Sequence, residues 1–470
     1  MSDQTEYDAI TSCNQVYTNH ESRWKYLLES FVGGDMYQRG NHLTRYSKES
    51  EPDYQARIKA TPLDNQCASI ISIYNSFLFR ECPERDFGSL ADTIELEDFL
   101  KDADFENRSI DHFMKEVSTW SAVFGHCWVL MSKPDINAVT RADEIAAGVR
   151  PYVSLLTPIV VIDWSWSRTV SGRYELSLFK YIEEINGNIQ TIKTWTTDTI
   201  TTSIVDTDKF VVNKSEVIPN KLGMIPAAIC YNDRSIVRGI GISAINDIAD
   251  AQKFIYNATS EVDQSIRLNT HPSLVVEEGT NIGTGSGAII TLGEDSREGL
   301  KPYVLTFDAT GVSDIYQAIE NTIKSIEKMA NVGSISATET KVQSGVAMET
   351  EFQLLNARLS RMADNLELAE EQIWRLWCMY QQQPFDVSIE YPGSFNMRDT
   401  SSEIDQLKTA YDCKSTDPLV TAALDAEILD WLDLDEDELA ALEEKIAAND
   451  VTAEDVIAAD EIPDPITAID

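Results

Sequence analysis

The chain has 470 residues, 43% of them hydrophobic and 9% aromatic, which is too long for one ordinary core and apolar enough to bury about two to four structural regions. Its formal charge is -40, from 78 acids and 38 bases. That balance argues against a tight grip on DNA or RNA, which Lys and Arg supply by neutralising phosphate, and against an anionic membrane surface. Fifteen prolines and 21 glycines are too few for a disordered or fibrous chain. The seven cysteines (Cys13, Cys67, Cys82, Cys127, Cys230, Cys378, Cys413) form no CxxC and read as reduced, mostly buried thiols. The first residues, MSDQTEYDAITSCNQ, lack a basic start followed by an apolar run, and no stretch of about 18 apolar residues exists. These features predict a protein made and folded in a reducing cytoplasm.

Residues 1–132 read as mainly helical. Trp24, Leu27, Leu28 and Phe31 share one helix face, and Gly33-Gly34 stops it. A second apolar pattern runs over 54–80 and a third over 96–123, after which Trp128–Met131 reads as a short buried strand. Residues 150–232 are rich in Val, Ile, Thr, Tyr and Trp with period-two stretches, and predict an antiparallel β region of about five or six strands. Trp164 and Trp166 then share a face and belong to packing. Helical spacing returns over 241–268 (Ile245, Ile248, Ala251, Ile255, Ala258, Val262, Ile266). Pro272 and the glycines between 279 and 299 break it, leaving short apolar runs that predict a small β element at 269–311. A second helix covers 312–330, and 331–345 is a small, polar loop. From Val346 to Gln383 there is neither Pro nor Gly, and Leu355, Leu359, Met362, Leu366, Ile373 and Leu376 keep three-four spacing, so a helix of roughly 50 Å is predicted. Trp374 and Trp377 near its end read as core. Residues 401–470 hold 21 acids against three lysines, helical at the start and frayed from about 450.

This order, α+β overall, resembles the portal (head–tail connector) family of tailed phages. Three stretches carry it: Tyr26–Gly34 with Tyr37, Leu43, Tyr54, Arg57, Ala60, Asn65 and Phe79-Arg80; Gly239–Ser243 with Asp247-Ile248, Gln252, Ile255–Asn257 and Glu261; and Thr338–Thr340 with Ser344–Ala347 and Phe352–Asn356. The resemblance implies a portal-type fold: a wing at 1–240 (helical 1–132, β-rich 150–232), a first stem helix at 241–268, a clip at 269–311 and a second stem helix at 312–330. A tunnel loop would follow at 331–345, then a long wing helix and strand at 346–400, and an acidic helical crown or tail at 401–470. It further implies a ring of about twelve subunits at one capsid vertex of a virion. Double-stranded DNA would pass through without sequence specificity in packaging and ejection. The partners implied are major capsid and scaffold protein at the wing, and terminase and tail adaptor at the clip, with no membrane.

A conduit must touch DNA and release it, so few, breakable phosphate contacts are wanted. The candidates are Ser336, Thr338, Glu339, Lys341 and Gln343 in the tunnel loop, and Lys253, Arg267, Lys324 and Lys328 on the stem helices; Lys324 and Lys328, four apart, share a face. The remaining motifs dissolve on inspection. Gly239-Ile-Gly241-Ile-Ser-Ala244 mimics a dinucleotide fingerprint but follows a turn, not a strand, and reads as a bend into the helix. Gly283, Gly285 and Gly287 lack the Lys-Ser/Thr of a phosphate loop and read as a hairpin turn. Asp433–Glu444 mimics a calcium loop but has Glu438 where the turn needs glycine. The histidines (His20, His42, His112, His126, His271) are scattered without metal-ligand spacing. No catalytic centre, metal site or cofactor is expected, and the chain reads as structural, not enzymatic. The alternatives are another phage structural or assembly protein with a similar core, or an acidic cytosolic enzyme with an unrecognised site.

Overall fold

The computed structural model describes residues 3–91, 93–134, 147–270, 273–275, 281–282, 290–291, 303–305, 310–333 and 345–395. All of them lie in one compact unit, Met1–Phe395. The tunnel-loop candidates (Ser336, Thr338, Glu339, Lys341, Gln343), the Gly283–Gly287 turn, His271, Cys413, the calcium-loop mimic and the acidic tail fall outside the described residues.

The chain opens with helices α1 (Asp3–Thr11), α2 (Gln15–Val32), α3 (Gly34–Arg39), α4 (Glu51–Ala60) and α5 (Gln66–Leu78). Asn14 caps α2 by accepting from the Val16 N–H, and Gly33, at φ +67, ends it. The apolar pattern over 54–80 is two helices. Pro62 disfavours the helical conformation at Thr61, which sits at φ -75, ψ 118. The pattern over 96–123 is likewise two, α6 (Ile94–Lys101) and α7 (Ile110–Phe124). Phe105 and Asn107 at positive φ turn the chain between them.

Strand β2 (His126–Ser132) is buried on both faces and needs neighbours on both sides. It finds them in β3 (Tyr152–Leu156) and β9 (Ala227–Tyr231), both antiparallel. Between these, β4 (Val161–Arg168), β5 (Tyr174–Asn186), β6 (Ile189–Thr196), β7 (Thr199–Asp206) and β8 (Val211–Pro219) form a five-stranded antiparallel meander. The β region therefore holds seven strands, not five or six, and they divide between two sheets. Local period-two patterning finds strands but not partners. Trp128 of β2 locks the sheets together, its ring 5.1 Å from Phe179 and about 6 Å from both Trp164 (6.3 Å) and Trp166 (6.2 Å). Trp164 is buried and Trp166 half-buried, so the pair does belong to packing, though a bulge separates them from strict alternation.

Helix α8 (Asn246–Thr270) begins five residues later than the spacing suggested. Residues 239–245 are a turn and loop, with Gly239 at φ +84 and Gly241 bridged to Arg234, and Ser243 Oγ accepts from the Ile245 N–H. Short strands follow: β10 (Ser273–Val275), β11 (Asn281–Ile282), β12 (Ile290–Thr291) and β13 (Tyr303–Leu305). β10 pairs with β13 and β11 with β12, all antiparallel. Then come α9 (Thr310–Ala330) and α10 (Gly345–Gln381), whose 37 residues span about 55 Å. Leu355, Leu359, Met362, Leu366, Ile373, Trp374 and Trp377 of α10 are all in the core. Strand β14 (Ser388–Glu390) pairs with β1 (Glu84–Asp86). Beside that pair, Arg85 joins α10 to the helical body, its Nε donating to Glu370 (2.6 Å) and Nη1 to Asp111 (2.6 Å), while Trp374 Nε1 donates to Glu370 (3.1 Å). Of the described cysteines, Cys67, Cys127, Cys230 and Cys378 are buried and Cys13 and Cys82 exposed; all are free thiols.

Candidate channel helices and their anchors

Helices α8 and α9 pack on each other, and the antiparallel strands between them carry the chain out and back. At their shared root, Arg358 of α10 donates from Nη1 to the Met329 carbonyl and from Nη2 to the Ala244 carbonyl (3.3 Å each), with its guanidinium 4.8 Å from the Tyr74 ring. The Tyr74 hydroxyl in turn donates to the Ala330 carbonyl (2.7 Å). Ile326 and Ala330 are buried at this end, whereas no described residue from Gly311 to Ser325 is. The pair is a stalk, rooted at one end and bathed in solvent along the rest of α9.

The root half of α8 is tied to the N-terminal helices by polar side chains. Gln252, wholly buried, donates to the Ser30 carbonyl (3.0 Å) and accepts from the Cys67 N–H (2.9 Å). Tyr26 donates to the Ala249 carbonyl (2.7 Å), and Asn257 binds the His42 carbonyl (3.1 Å) and the Thr44 N–H (2.7 Å). Arg23 grips Asp250 through two hydrogen bonds (2.9 and 3.0 Å), and that hydrogen bond holds the Asp250 carboxyl below its ordinary range. Tyr37, Leu43, Tyr54, Ile58 and Tyr256 form a small separate core at the same joint.

Arg57 is the hub. Its Nε and Nη2 hold Glu49 bidentately (2.8 Å each), Nη1 donates to Ser260 on α8 (3.0 Å), and Nη2 also reaches the Thr44 carbonyl (2.7 Å). The guanidinium lies 4.1 Å from the Tyr46 ring. Both ionic side chains are nearly sealed from water, at 3% and 7% exposure, and four hydrogen bonds from the guanidinium offset the cost of burying the pair. The hydrogen bonds from Arg57 depress the Glu49 pKa. A cleft of about 540 Å³ opens beside them, lined by Tyr46, Lys48, Glu49, Asp53, Gln264 and Arg267 among others.

A second joint holds the entry to α8. A Cβ on Gly241 would lie 1.8 Å from the Gly125 carbonyl oxygen, so two backbones touch where only glycine fits. The Gly241 N–H donates to His126 Nδ1 (3.3 Å), and the fully buried ring is pushed by desolvation down to about 3. The Gly239/Gly241 motif is thus the bend it was read to be.

The four stem cations have different surroundings. Lys324 and Lys328 stand exposed on α9 and make no ion pair among the described residues. Lys253 sits near the root, 5.8 Å from the Tyr26 ring. Arg267 is held by Asp263 (2.8 Å) and lines the Arg57 cleft. Arg358, Arg85 and Glu370 escaped sequence reasoning. The available signal was a charge inserted into an apolar helical stripe, as Arg358 is between Leu355 and Leu359. Among the described residues no group of His, Cys, Asp and Glu could hold a metal ion, and no helix is long and apolar enough to cross a membrane.

The described residues thus form a mixed helix-and-sheet body that holds the α8–α9 pair at its root. The sequence matches the family described as "Phage portal protein, SPP1 Gp6-like" over residues 32–411, most of its length. The chain belongs to that family, the head–tail connectors of phage capsids. No curated protein matches it. Solved structures similar to it include a chain from the "Virion of native gene transfer agent (GTA) particle", with 10% identity and TM-score 0.44, covering 76% of this chain and 89% of that one. A chain from the "Neck of empty GTA particle computed with C6 symmetry" has 8% identity and TM-score 0.43, covering 84% and 98%. One from the "Neck of native GTA particle computed with C12 symmetry" has 9% identity and TM-score 0.45, covering 90% and 98%.

Proposed function

We propose that copies of this chain close into a ring, of about twelve subunits, at one vertex of a capsid, and that double-stranded DNA passes through it during packaging and ejection. The observation that supports this best is the α8–α9 stalk, fixed at its root by Arg358, Tyr74 and Gln252, with no described residue of α9 buried from Gly311 to Ser325. Twelve or so such stalks side by side would form the stem of a channel, residues 269–311 its clip, residues 1–240 the wing, 331–345 the tunnel loop, 346–400 the long wing helix and strand, and 401–470 the crown.

Lys324 and Lys328 are exposed on α9 and could meet phosphate, and in a chain of net charge -40 such contacts would be few and quickly broken. Lys253, Arg267 and the loop residues Ser336, Thr338, Glu339, Lys341 and Gln343 remain candidates for the same surface. The chain carries no phosphate loop, so the energy for movement would come from an ATPase partner (the terminase) docked at the clip. Tail adaptor would use the same face, and capsid and scaffold the wing. No catalytic role is assigned.

Deleting residues 273–308 tests the map. The shortened chain should still assemble and should lose binding to the motor. A shortened chain that folds, by circular dichroism, yet no longer assembles would contradict the assignment of this segment.

A further inference from the structure

In so acidic a chain, one end of the five-stranded sheet is basic. Arg168 and Arg173 flank the β4–β5 turn, and Arg234 and Arg238 lie in the loop that leads to α8. None of the four makes an ion pair among the described residues, and the nearby Asp233 is already held by Arg361 (3.0 Å), leaving Glu175 and, in the β6–β7 turn, Asp198 as exposed acids at this end. Instead three of them stack on aromatic rings. Arg238 lies 3.5 Å and Arg168 4.8 Å from the centre of the same Tyr174 ring, and Arg234 lies 5.0 Å from Tyr231. Two guanidinium groups gathered on one ring repel each other, and their stacking leaves the N–H edges open to carboxylates. Between them Val170 and Ile236 are fully exposed, at 110% and 105% of a reference residue. Exposed branched apolar side chains beside stacked Arg and Tyr mark a protein partner; a DNA contact would have no use for them.

The complement lies on the same chain. Strand β5 runs 13 residues, about 40 Å, to the opposite end of the sheet. There the β5–β6 and β7–β8 turns meet, Thr207 N–H donating to the Asn188 carbonyl (2.8 Å). They expose Glu183, Glu184 and Asp208 with Ile185, Ile189 and Phe210, the last three at 61%, 44% and 53% exposure. Lys193 and Lys209 are taken up there by Glu183 (2.6 Å) and Asp206 (2.9 Å). We propose that the basic end of this sheet docks on the acidic end of the same sheet in a second copy of the chain. Because the two surfaces differ, the contact is head-to-tail, the kind that propagates into a closed ring. The inference rests on the ring reading above and says which surfaces mate.

Charge reversal tests it. The variants are Arg168→Glu with Arg238→Glu, Glu184→Lys with Asp208→Lys, and all four changes together, each measured by native mass spectrometry and checked for folding by circular dichroism. Each two-site variant should lose the ring at least tenfold at a concentration where the unsubstituted chain is fully assembled. The four-site variant, and an equal mixture of the two-site variants, should regain it. Ring persistence of the unsubstituted chain should also fall as NaCl is raised, a measurement that needs no variant. Folded two-site variants that assemble like the parent, or that lose DNA binding while keeping the ring, would overturn the proposal, as would a ring indifferent to salt. A parent chain that forms no ring would instead bring down the ring reading and this inference with it.

Discussion

His126 shows how far a single residue is set by its surroundings. Buried whole among Trp24, Trp128 and Tyr231, it accepts from the Gly241 N–H and stays neutral because charging it there is costly. Its pKa falls from about 6.5 unfolded to about 3 folded. The folded state therefore binds fewer protons than the unfolded one throughout that window. Stability is greatest above pH 6.5 and is lost as pH falls toward 3, by up to about 1.4 kcal/mol per pH unit. Between pH 7 and 5 the parent should lose about 2 kcal/mol more than a His126→Gln variant in denaturant unfolding. Parallel losses in the two proteins would show that His126 is not the titrating group. At this scale the sequence was least legible. Five scattered histidines carry no spacing signal, and nothing local reveals that one of them sits against the backbone of residue 241. Arg57 was visible only through resemblance, because its partners come from two distant stretches, Thr44 and Glu49 in the loop before α4 and Ser260 on α8.

Elements were easier to read where periodicity is strong and no partner is needed. Helix α10 announces itself by three-four spacing without a break, and its predicted apolar face is the buried one. The β region was recognisable as β, but its division into two sheets was not, since pairing is decided by burial on both faces of β2 and by the Trp128 contact across sheets. The late start of α8 has a similar cause: residues 241–245, read as the start of the helix, form a bridge and turn instead, where the Gly241 backbone packs against that of Gly125. Resemblance residues Tyr26, Gln252 and Asn257 proved to be the bolts of the α8 joint. Arg358 performs the corresponding task for α9. Replacing it with Met should cost about 1–2 kcal/mol, the range for lost hydrogen bonds from a charged donor at a partly exposed site. Amide hydrogen exchange should quicken at 246–250 and 326–330 and stay unchanged in β4–β8. Faster exchange spread evenly over the molecule would contradict a local anchor.

For the whole molecule, charge and architecture point the same way. A net charge of -40 would suit the proposed passage, which must not hold its cargo, and exposed cations without an ion pair among the described residues include those on α9 and at the basic end of the sheet. The order of elements conveyed the family before any coordinate did, and the match over residues 32–411 agrees with it. What the order could not convey is which surfaces face a neighbouring copy, because interface residues obey no periodicity of their own. The central claim is assembly, and the direct measurement is electron microscopy of the purified chain together with its mass in solution, with scaffold protein added where closure needs it. The account predicts closed rings of one size with a central hole, at a mass that is a fixed multiple of the chain. A monomer or dimer at every concentration, with and without scaffold, would contradict it.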